Sequence, residues 1–268
     1  MQTLSDVQFE KFRKFIYNSL GINLSNAKRE MLQAKLRKLM GQSEMMSFDD
    51  YFNLIAGNTK NGHWTQFVNE ITIHKTDFFR EDNHFNYLTN KIDFILNTNP
   101  RIANTGEIRV WSSACSTGEE PYTIAMVLKE CLPPLVSIKL LATDISPGVV
   151  KEAQEGIYPS NIRYTITPYY LTKYFKKIGD EYEIIPEIRD LITFRTFNLM
   201  DSFPFKNTFD IIFCRNVMIY FDFDTQEKLI KKFYDINEPN GLLFIGHSES
   251  LTQKQYKYKY LEPTIYIK

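Results

Sequence analysis

The chain has 268 residues, of which 43% are hydrophobic and 15% aromatic, and its 32 basic and 32 acidic residues give a net charge of zero. Such a composition excludes a disordered protein, and the charge balance argues against a nucleic acid as partner. No apolar run approaches the ~18 residues of a membrane-spanning helix, and the first six residues lack the pattern of a signal peptide. The three cysteines, Cys115, Cys131 and Cys214, have no metal-binding spacing. We therefore expect a cytoplasmic protein without direct membrane insertion and without a metal site.

Residues 1–75 are predicted to form an all-helical domain. Ser5 is a good N-cap and Gly21 a good stop for a first helix. Its apolar face would consist of Phe9, Phe12, Ile16 and Leu20. Three further helices are predicted to follow Ser25, to open at Ser47 to Asp50 and to run from about His63 to Ile71.

The helix predicted to follow Ser25 has a basic side opposite its apolar one. This side carries one acidic residue, Glu30, and five basic residues: Lys28, Arg29, Lys35, Arg37 and Lys38. A run of charges is usually a solvated face. The alternative is a docking surface for an acidic partner, and the pattern alone leaves both open.

Residues 72–85 form a connector between the helical region and the rest of the chain. Phe78 and Phe79 can anchor this connector to a core and would then hold Arg80 beside them. Arg80 also has a simpler interpretation, a salt bridge with Glu81 or Asp82 at a helix start. That helix is predicted to reach about Leu96, and residues 97–106 are predicted to form a loop.

Residues 107–125 combine a strand, a turn of small residues and a helix. This order is how a βαβ sheet binds a nucleotide-like ligand. The turn has one glycine, Gly118, where a dinucleotide fingerprint needs three. Glu119 and Glu120 stand where a phosphate would lie, so the site suits a cationic ligand such as S-adenosylmethionine. Alternatively, both are simply favourable residues for the first turn of a helix.

The remaining strands complete a predicted parallel sheet. Asp144 ends the strand that begins at Ile138, where such an acid binds ribose hydroxyls or caps the next helix. A small β-subdomain is predicted as an insertion at about 157–191. Further strands are predicted at Ile192–Asn198, Phe209–Cys214, Leu242–Ile245, Tyr256–Tyr260 and Thr264–Ile267, with a turn at Asn240-Gly241 and a helix from Asp224.

Six stretches, in order along the chain, resemble the CheR family of bacterial chemotaxis receptor methyltransferases: Thr76-Asp-Phe-Phe-Arg80, Ser116-Thr-Gly-Glu-Glu-Pro-Tyr122, Ala142-Thr-Asp-Ile145, Asn198-Leu199, Cys214-Arg-Asn-Val-Met-Ile-Tyr-Phe221 and Gly246-His-Ser-Glu-Ser250. The resemblance implies an α/β fold, with a Rossmann-like S-adenosylmethionine methyltransferase sheet at 76–268 after a receptor-docking domain at 1–75. It implies methyl transfer to glutamates on the cytoplasmic helical domain of chemoreceptors, giving glutamyl methyl esters and S-adenosylhomocysteine. We expect a monomer.

The resemblance also implies roles for individual residues. The residues implied to bind the cofactor are His74, Thr76, Arg80, Glu119, Asp144, Asn198, Leu199, Arg215 and Asn216. Arg80 and Tyr220 are implied as catalytic: Arg80 would orient a carboxylate, and Tyr220 would lie by the sulfonium. His74 stands where the family commonly has Asn, and the Gly-rich insertion of members that bind a receptor pentapeptide is missing around 176–183. Acidic substrate helices favour the docking interpretation of the basic helix. Two alternative functions remain: a methyltransferase with another acceptor, and a non-catalytic cofactor-binding module.

Overall fold

The computed structural model describes residues 3–57, 62–251 and 257–268. Among these residues, the helices are α1 Asp6–Leu20, α2 Arg29–Gln42, α3 Phe48–Gly57, α4 Gly62–Ile71, α5 Asn83–Thr98, α6 Pro100–Thr105, α7 Glu119–Cys131, α8 Pro147–Glu155, α9 Pro168–Tyr174, α10 Pro186–Arg189 and α11 Phe223–Ile236. The strands are β1 Glu107–Ser112, β2 Ser137–Asp144, β3 Ile157–Pro159, β4 Phe175–Ile178, β5 Glu181–Ile184, β6 Ile192–Thr196, β7 Phe209–Cys214, β8 Asn237–Ile245, β9 Lys259–Glu262 and β10 Ile265–Ile267. None of the described helices has the length and apolar character that crossing a membrane requires.

Helices α1 to α4 form the N-terminal region and bury a core of their own. The prediction for α1 is confirmed in detail. Ser5 accepts a hydrogen bond from the backbone N–H of Gln8, Gly21 ends the helix in a left-handed conformation, and the four predicted apolar residues are buried. A short 3-10 turn, Asn26–Lys28, precedes α2.

The main sheet has seven strands in the order β6-β2-β1-β7-β8-β10-β9. The first five strands are parallel, and β10 and β9 continue the sheet in antiparallel pairings. The chain moves outward from β1 through β2 to β6 and then returns to β7, so the strand order reverses between β1 and β7. Ligands bind at such a reversal, beyond the carboxyl ends of the strands.

The small β-subdomain is confirmed as an insertion between α8 and β6. Its three antiparallel strands have the order β3-β5-β4. Phe78 from the connector packs edge-on against Tyr158 and Phe175 of this insertion, with ring centroids 4.8 and 5.4 Å apart. The connector is therefore anchored by an aromatic residue, as expected from Phe78.

The structure differs from the sequence expectations in a few local details. The predicted loop at 97–106 contains α6, because Asn99 caps Pro100 at the first helical position and Gly106 ends the helix with a φ of 62°. The predicted turn at Asn240-Gly241 falls within the bounds of β8, where the pairing with β7 jumps from Asn237 to Leu242 and Asn240 has a φ of 62°. The helix predicted from Asp224 is α11, which begins one residue earlier and is capped by Asp222. The predicted strand from Tyr256 begins outside the described residues, and β9 begins at Lys259.

Hydrogen bonds join the helical region to the sheet. The backbone N–H of Asn23 donates to the carbonyl of Tyr220 at 2.8 Å. The side-chain amide of Asn198 donates to the carbonyl of Ser19 at 2.7 Å. At the opposite end, Ser146 donates to the side-chain oxygen of Asn69 at 2.7 Å. The helical region therefore covers the carboxyl edge of the sheet.

Candidate active site

A cleft of about 330 Å³ lies between the helical region and the carboxyl ends of β1, β2 and β7. This volume is within the usual ligand-pocket range of roughly 300–1,000 Å³. The cleft is lined by nine of the residues that the sequence analysis singled out for the cofactor and the reaction: His74, Thr76, Arg80, Asp144, Asn198, Leu199, Arg215, Asn216 and Tyr220. Leu20 and residues 22–25 of the helical region form part of the opposite wall.

The turn after β1 needs its small residues because it is tightly packed. Gly118 has a φ of 100°, and a Cβ atom placed there would lie 2.8 Å from the hydroxyl of Tyr158 and 3.0 Å from Ala153. Any larger residue would therefore be strained and would displace its neighbours. The same turn presents the backbone N–H of Ser116 to Asp144.

Asp144 lies at the tip of β2 and is 9% exposed. Its two oxygens accept the backbone N–H groups of Ser116 at 2.9 Å and Ser146 at 3.0 Å. The cap of α8 is Ser146 itself, so Asp144 is not the N-cap residue of that helix. Burial raises the pKa of Asp144, while the bonds from Ser146 and Ser116 act in the other direction. A carboxylate has about four lone-pair sites, so acceptor capacity remains toward the cleft.

The two glutamates at the start of α7 occupy different places. Glu120 lines the cleft and accepts hydrogen bonds from the Ser112 hydroxyl at 2.7 Å and from Arg215 at 3.2 Å. Glu119, which the sequence analysis favoured, accepts a bond from the Thr117 hydroxyl and is not part of the cleft lining. The structure therefore brings Glu120, and not Glu119, beside the other predicted residues. Burial raises the pKa of Glu120, and the charge of Arg215 opposes this.

Arg215 is the centre of a buried charge cluster and is 5% exposed. Its guanidinium pairs with Glu120 at 3.2 Å and with Glu81 at 3.1 Å, and it also donates to the carbonyl of Arg80. When both carboxylates are ionised, they outnumber the guanidinium and the three groups carry a net negative charge beside the cleft. A ligand with positive charge can complete this balance, because a buried charge is costly unless it is paired.

Glu81 was missed as a site residue by the sequence analysis, which considered it only as a partner of Arg80. It accepts bonds from Arg215, from the Asn216 side chain at 3.1 Å and from the backbone N–H of His247 at 3.2 Å. Burial acts to raise the pKa of Glu81, but the bond from Asn216 and the charge of Arg215 prevail, so its pKa lies below the usual value. We therefore describe Glu81 as an ionised carboxylate that ties three loops together.

Arg80 is held at the cleft by an unusual backbone. Its two neighbours, Phe79 and Glu81, have φ values of 55° and 56°, which non-glycine residues rarely adopt and which recur at functional sites. Its guanidinium donates to the carbonyl of Lys75 at 2.9 Å. Within the described ranges, no ion pair joins Arg80 to Glu81 or Asp82, so the simpler interpretation of Arg80 is not what the structure shows.

Glu249, also missed by the sequence analysis, shapes the loop after β7. Its buried carboxylate accepts four backbone N–H groups, those of Gly246, Asn216, Met218 and Ile219, at 2.6 to 3.3 Å. The loop includes Asn216, which has a φ of 58°. The carboxylate thus holds in one conformation the segment that carries Arg215, Asn216 and Tyr220. Its position at the tip of a predicted strand was the sequence feature that could have indicated a role at the site.

His74 and the loop of Asn198 and Leu199 are fixed by hydrogen bonds with the protein's own groups. The His74 ring donates through Nε2 to the carbonyl of Asn69 at 3.0 Å, and its own carbonyl accepts from the Ser116 hydroxyl. The Asn198 side chain bonds Ser19 and the N–H of Met200. Burial raises the pKa of the Tyr220 hydroxyl. Lys232 donates to three successive carbonyls, of Leu199, Met200 and Asp201, at 2.8 to 3.0 Å, which fixes the loop of Asn198 and Leu199.

The basic residues of the second helix do not form one uniform surface. Arg29 pairs with Asp6, the Lys35 ammonium donates to the carbonyl of Glu70, and Lys38 pairs with the Glu70 carboxylate. Burial lowers the pKa of Lys35. Arg37 is partly buried, and Lys28 is exposed and lies on the rim of the cleft.

Two protein-family models match the chain, one for each region of the fold. The CheR methyltransferase, SAM binding domain matches residues 74–267, and the CheR methyltransferase, all-alpha domain matches residues 8–72. The chain belongs to the CheR methyltransferase family. S-adenosylmethionine is therefore its cofactor, and the negative cluster around Arg215 fits the positive charges of that molecule.

Individual CheR relatives match over almost their full length. The Chemotaxis protein methyltransferase of Borreliella burgdorferi is 39% identical over 266 residues, which cover 97% of this chain and 94% of the relative. The protein of the same name from Escherichia coli is 36% identical, covering 98% and 91%. A solved TehB-like SAM-dependent methyltransferase from Corynebacterium glutamicum is 13% identical, covers 52% of this chain and 53% of its own, and has a TM-score of 0.33. By its family and its two chemotaxis relatives, this CheR member is an S-adenosylmethionine-dependent methyltransferase of chemotaxis.

Proposed function

We propose that this protein transfers a methyl group from S-adenosylmethionine to glutamate side chains of chemoreceptors, giving glutamyl methyl esters and S-adenosylhomocysteine. The observation that carries the proposal is the placement of Arg80 at the cleft. Within the part of the chain that the structure describes, the Arg80 guanidinium lines the cleft with one carbonyl as its hydrogen-bond partner and no carboxylate. Its remaining donors suit a carboxylate, with the bidentate geometry that arginine favours.

In this proposal each group of residues has a separate task. S-adenosylmethionine, when bound, supplies an electrophilic methyl group on a sulfonium. Asp144 accepts the ribose hydroxyls, and Glu81 and Glu120 favour the positive charges of the cofactor. Arg80 orients the incoming glutamate carboxylate or the carboxylate of the cofactor itself, and Tyr220 packs beside the reacting methyl.

The chemistry needs alignment more than proton transfer. A glutamate side chain has a pKa near 4.3 and is already ionised at pH 7, so it attacks without a general base. Holding the nucleophile and the methyl group in line is a large part of catalysis in such a reaction. The loop that Glu249 fixes and the backbone around Arg80 therefore serve as rigid supports for positioning.

The proposal is tested with methyl-labelled S-adenosylmethionine, the full chain and a chemoreceptor cytoplasmic domain. We expect label to appear on the receptor and to be released by mild base, as a glutamyl methyl ester would be. Receptor with its glutamates changed to alanine should take up no label. Label on nucleic acid or on a small molecule would contradict the glutamate acceptor, and cofactor binding without any transfer would support the non-catalytic module.

Receptor docking is proposed for residues 1–75 of a monomeric, cytoplasmic protein, through Lys28, Arg29, Lys35, Arg37 and Lys38. Lys28 best supports this, because it is exposed at the rim of the cleft. Arg29, Lys35 and Lys38 also have partners within the helical region, so they would dock while partly neutralised. An acidic receptor helix laid along α2 would then present a glutamate to the cleft.

Charge reversal at Lys28 tests the docking surface. We expect Lys28→Glu to raise KM for the receptor about two- to tenfold, because an exposed attraction becomes a repulsion, and to leave the affinity for S-adenosylhomocysteine within twofold. The effect should shrink at high salt, where exposed charges are screened. The matched control is Lys129→Glu, an equal charge change on an exposed residue in the last turn of α7. Equal KM values for both variants at low salt would contradict docking at Lys28.

A further inference from the structure

A cluster of metal-ligating side chains lies beside the cleft, and its two histidines have no part in the proposed reaction. It consists of Glu81, His84 and His247, whose ligand atoms all lie within 4.8 Å of one another. Glu81 and His84 are three residues apart at the start of α5, and His247 follows β8. Sequence spacing predicts no metal site here, because only the fold brings His247 to the other two.

His84 is fully buried and has one nitrogen without a partner. The hydroxyl of Thr264 donates to the carbonyl of Pro263, so this hydroxyl must accept from Nε2–H of His84, at 2.8 Å. The other nitrogen, Nδ1, therefore carries a lone pair. Among the described residues it has no hydrogen-bond partner, and it lies 3.9 Å from a carboxylate oxygen of Glu81. The Glu81 oxygen already accepts from Arg215, so a cation bound between them would give Nδ1 a partner and share the carboxylate with Arg215.

The orientation of both rings fits metal binding. Metal-bound histidines usually donate their second ring nitrogen to a neighbouring oxygen, which fixes the tautomer, and Thr264 has this relation to His84. His247 makes the equivalent contact from Nε2 to the side-chain oxygen of Asn83 at 2.7 Å, which leaves its Nδ1 for the metal. Because His247 is exposed, an ion can enter from solvent without opening the core.

We propose that Glu81, His84 and His247 form a binding site for a divalent transition metal ion, with Zn²⁺ as the best match. Two imidazoles and one carboxylate are typical Zn²⁺ ligands, and three protein ligands leave a fourth position for water. Magnesium prefers oxygen ligands and octahedral geometry, so it should bind poorly.

The proposed site is linked to the active site through Glu81. The same carboxylate pairs with Arg215 at 3.1 Å and accepts from Asn216. A bound dication competes with Arg215 for Glu81 and repels the guanidinium, so metal binding and the active arrangement of the cleft oppose each other. Zn²⁺ is therefore expected to bind reversibly and to inhibit.

Titration of the full chain with ZnCl₂, followed by calorimetry, tests the site directly. The variants are His84→Gln and His247→Gln, with His63→Gln as matched control, since His63 lies in α4 and bonds Ser43. We expect one Zn²⁺ per chain for the wild type and the control, and at least tenfold weaker binding for the two site variants. MgCl₂ should give no comparable binding. Equal Zn²⁺ affinity in all four proteins would overturn the proposal. If His84→Gln fails to fold, the surface variant His247→Gln still gives the answer.

The link to the active site is tested separately and rests on the proposed methyl transfer. Zn²⁺ should lower the turnover of the wild type and of His63→Gln, a chelator should restore it, and His247→Gln should be at least tenfold less sensitive relative to its own metal-free rate. Zn²⁺ binding with unchanged turnover would overturn the link. Because calorimetry needs no substrate, failure of the proposed function leaves the test of the metal site intact.

Discussion

Replacing Glu249 with glutamine is expected to lower both the stability of the protein and its affinity for S-adenosylhomocysteine. The carboxylate accepts four backbone N–H groups in a place that is 7% exposed. A glutamine side chain keeps one acceptor oxygen and turns its NH₂ group toward N–H donors. A buried donor that loses its partner costs about 1–3 kcal/mol, so we expect a loss of at least about 2 kcal/mol in the free energy of unfolding.

Urea denaturation measures the first part of this effect, as a lower midpoint at unchanged slope. Calorimetry with S-adenosylhomocysteine measures the second, because the loop that Glu249 holds carries Arg215 and Asn216. The control is Ser248→Ala, a change at an exposed neighbour in the same turn. If Glu249→Gln were as stable as the control and bound the product equally well, the carboxylate would not be what shapes this loop.

Asp144→Ala is expected to weaken binding of S-adenosylhomocysteine by about 5- to 150-fold. The ribose hydroxyls lose an acceptor, and the N–H groups of Ser116 and Ser146 lose theirs, at a cost of about 1–3 kcal/mol. Calorimetric titration measures the change. Asp144→Asn keeps one acceptor oxygen and the side-chain volume, and should fall between the wild type and Asp144→Ala.

Asp180→Ala serves as the control for this series, because Asp180 is exposed in the turn between β4 and β5. An affinity for S-adenosylhomocysteine that is the same in Asp144→Ala and in this control would remove Asp144 from the cofactor site. A thermal unfolding measurement on each variant separates a lost contact from a lost fold.

Sequence reasoning worked best where the determinants are local. The first helix was predicted from Ser5 to Gly21 because its caps and its apolar spacing all lie within one short segment. Helix α6 was missed because it is too short for periodicity, although Asn99, Pro100 and Gly106 are good end signals. Strand β8 was shortened in the prediction because Asn240-Gly241 is a typical turn pair. In the structure the pairing of β8 with β7 jumps from Asn237 to Leu242, and Asn240 has a φ of 62°, so the strand continues on either side of this irregular point.

The candidate site could be predicted only in part, since its partners come from distant segments. Asp144 was predicted to lie at the site because sheets of this kind bind ribose hydroxyls with an acid at the tip of the second strand. That Glu120 and not Glu119 lines the cleft was beyond the sequence, because adjacent positions on a helix point in different directions, 100° apart. The roles of Glu81 and Glu249 depend on contacts with residues more than a hundred and about thirty positions away, respectively.

The junction at residues 19–23 bears on how relatives could exchange their helical domains by recombination. The contacts there use the carbonyl of Ser19, the N–H of Asn23 and the carbonyl of Tyr220, groups that nearly every amino acid supplies. At this junction, divergent helical domains can therefore be joined to the same catalytic sheet if residue 23 is not proline. Gly21 limits this tolerance, because its φ of 72° favours glycine and a Cβ atom there would push against the Met200 side chain. The side chains of Tyr17, which bonds Asp222, and of Asn69, which bonds Ser146, limit it as well. A functional hybrid is expected to keep these three residues and the spacing around them.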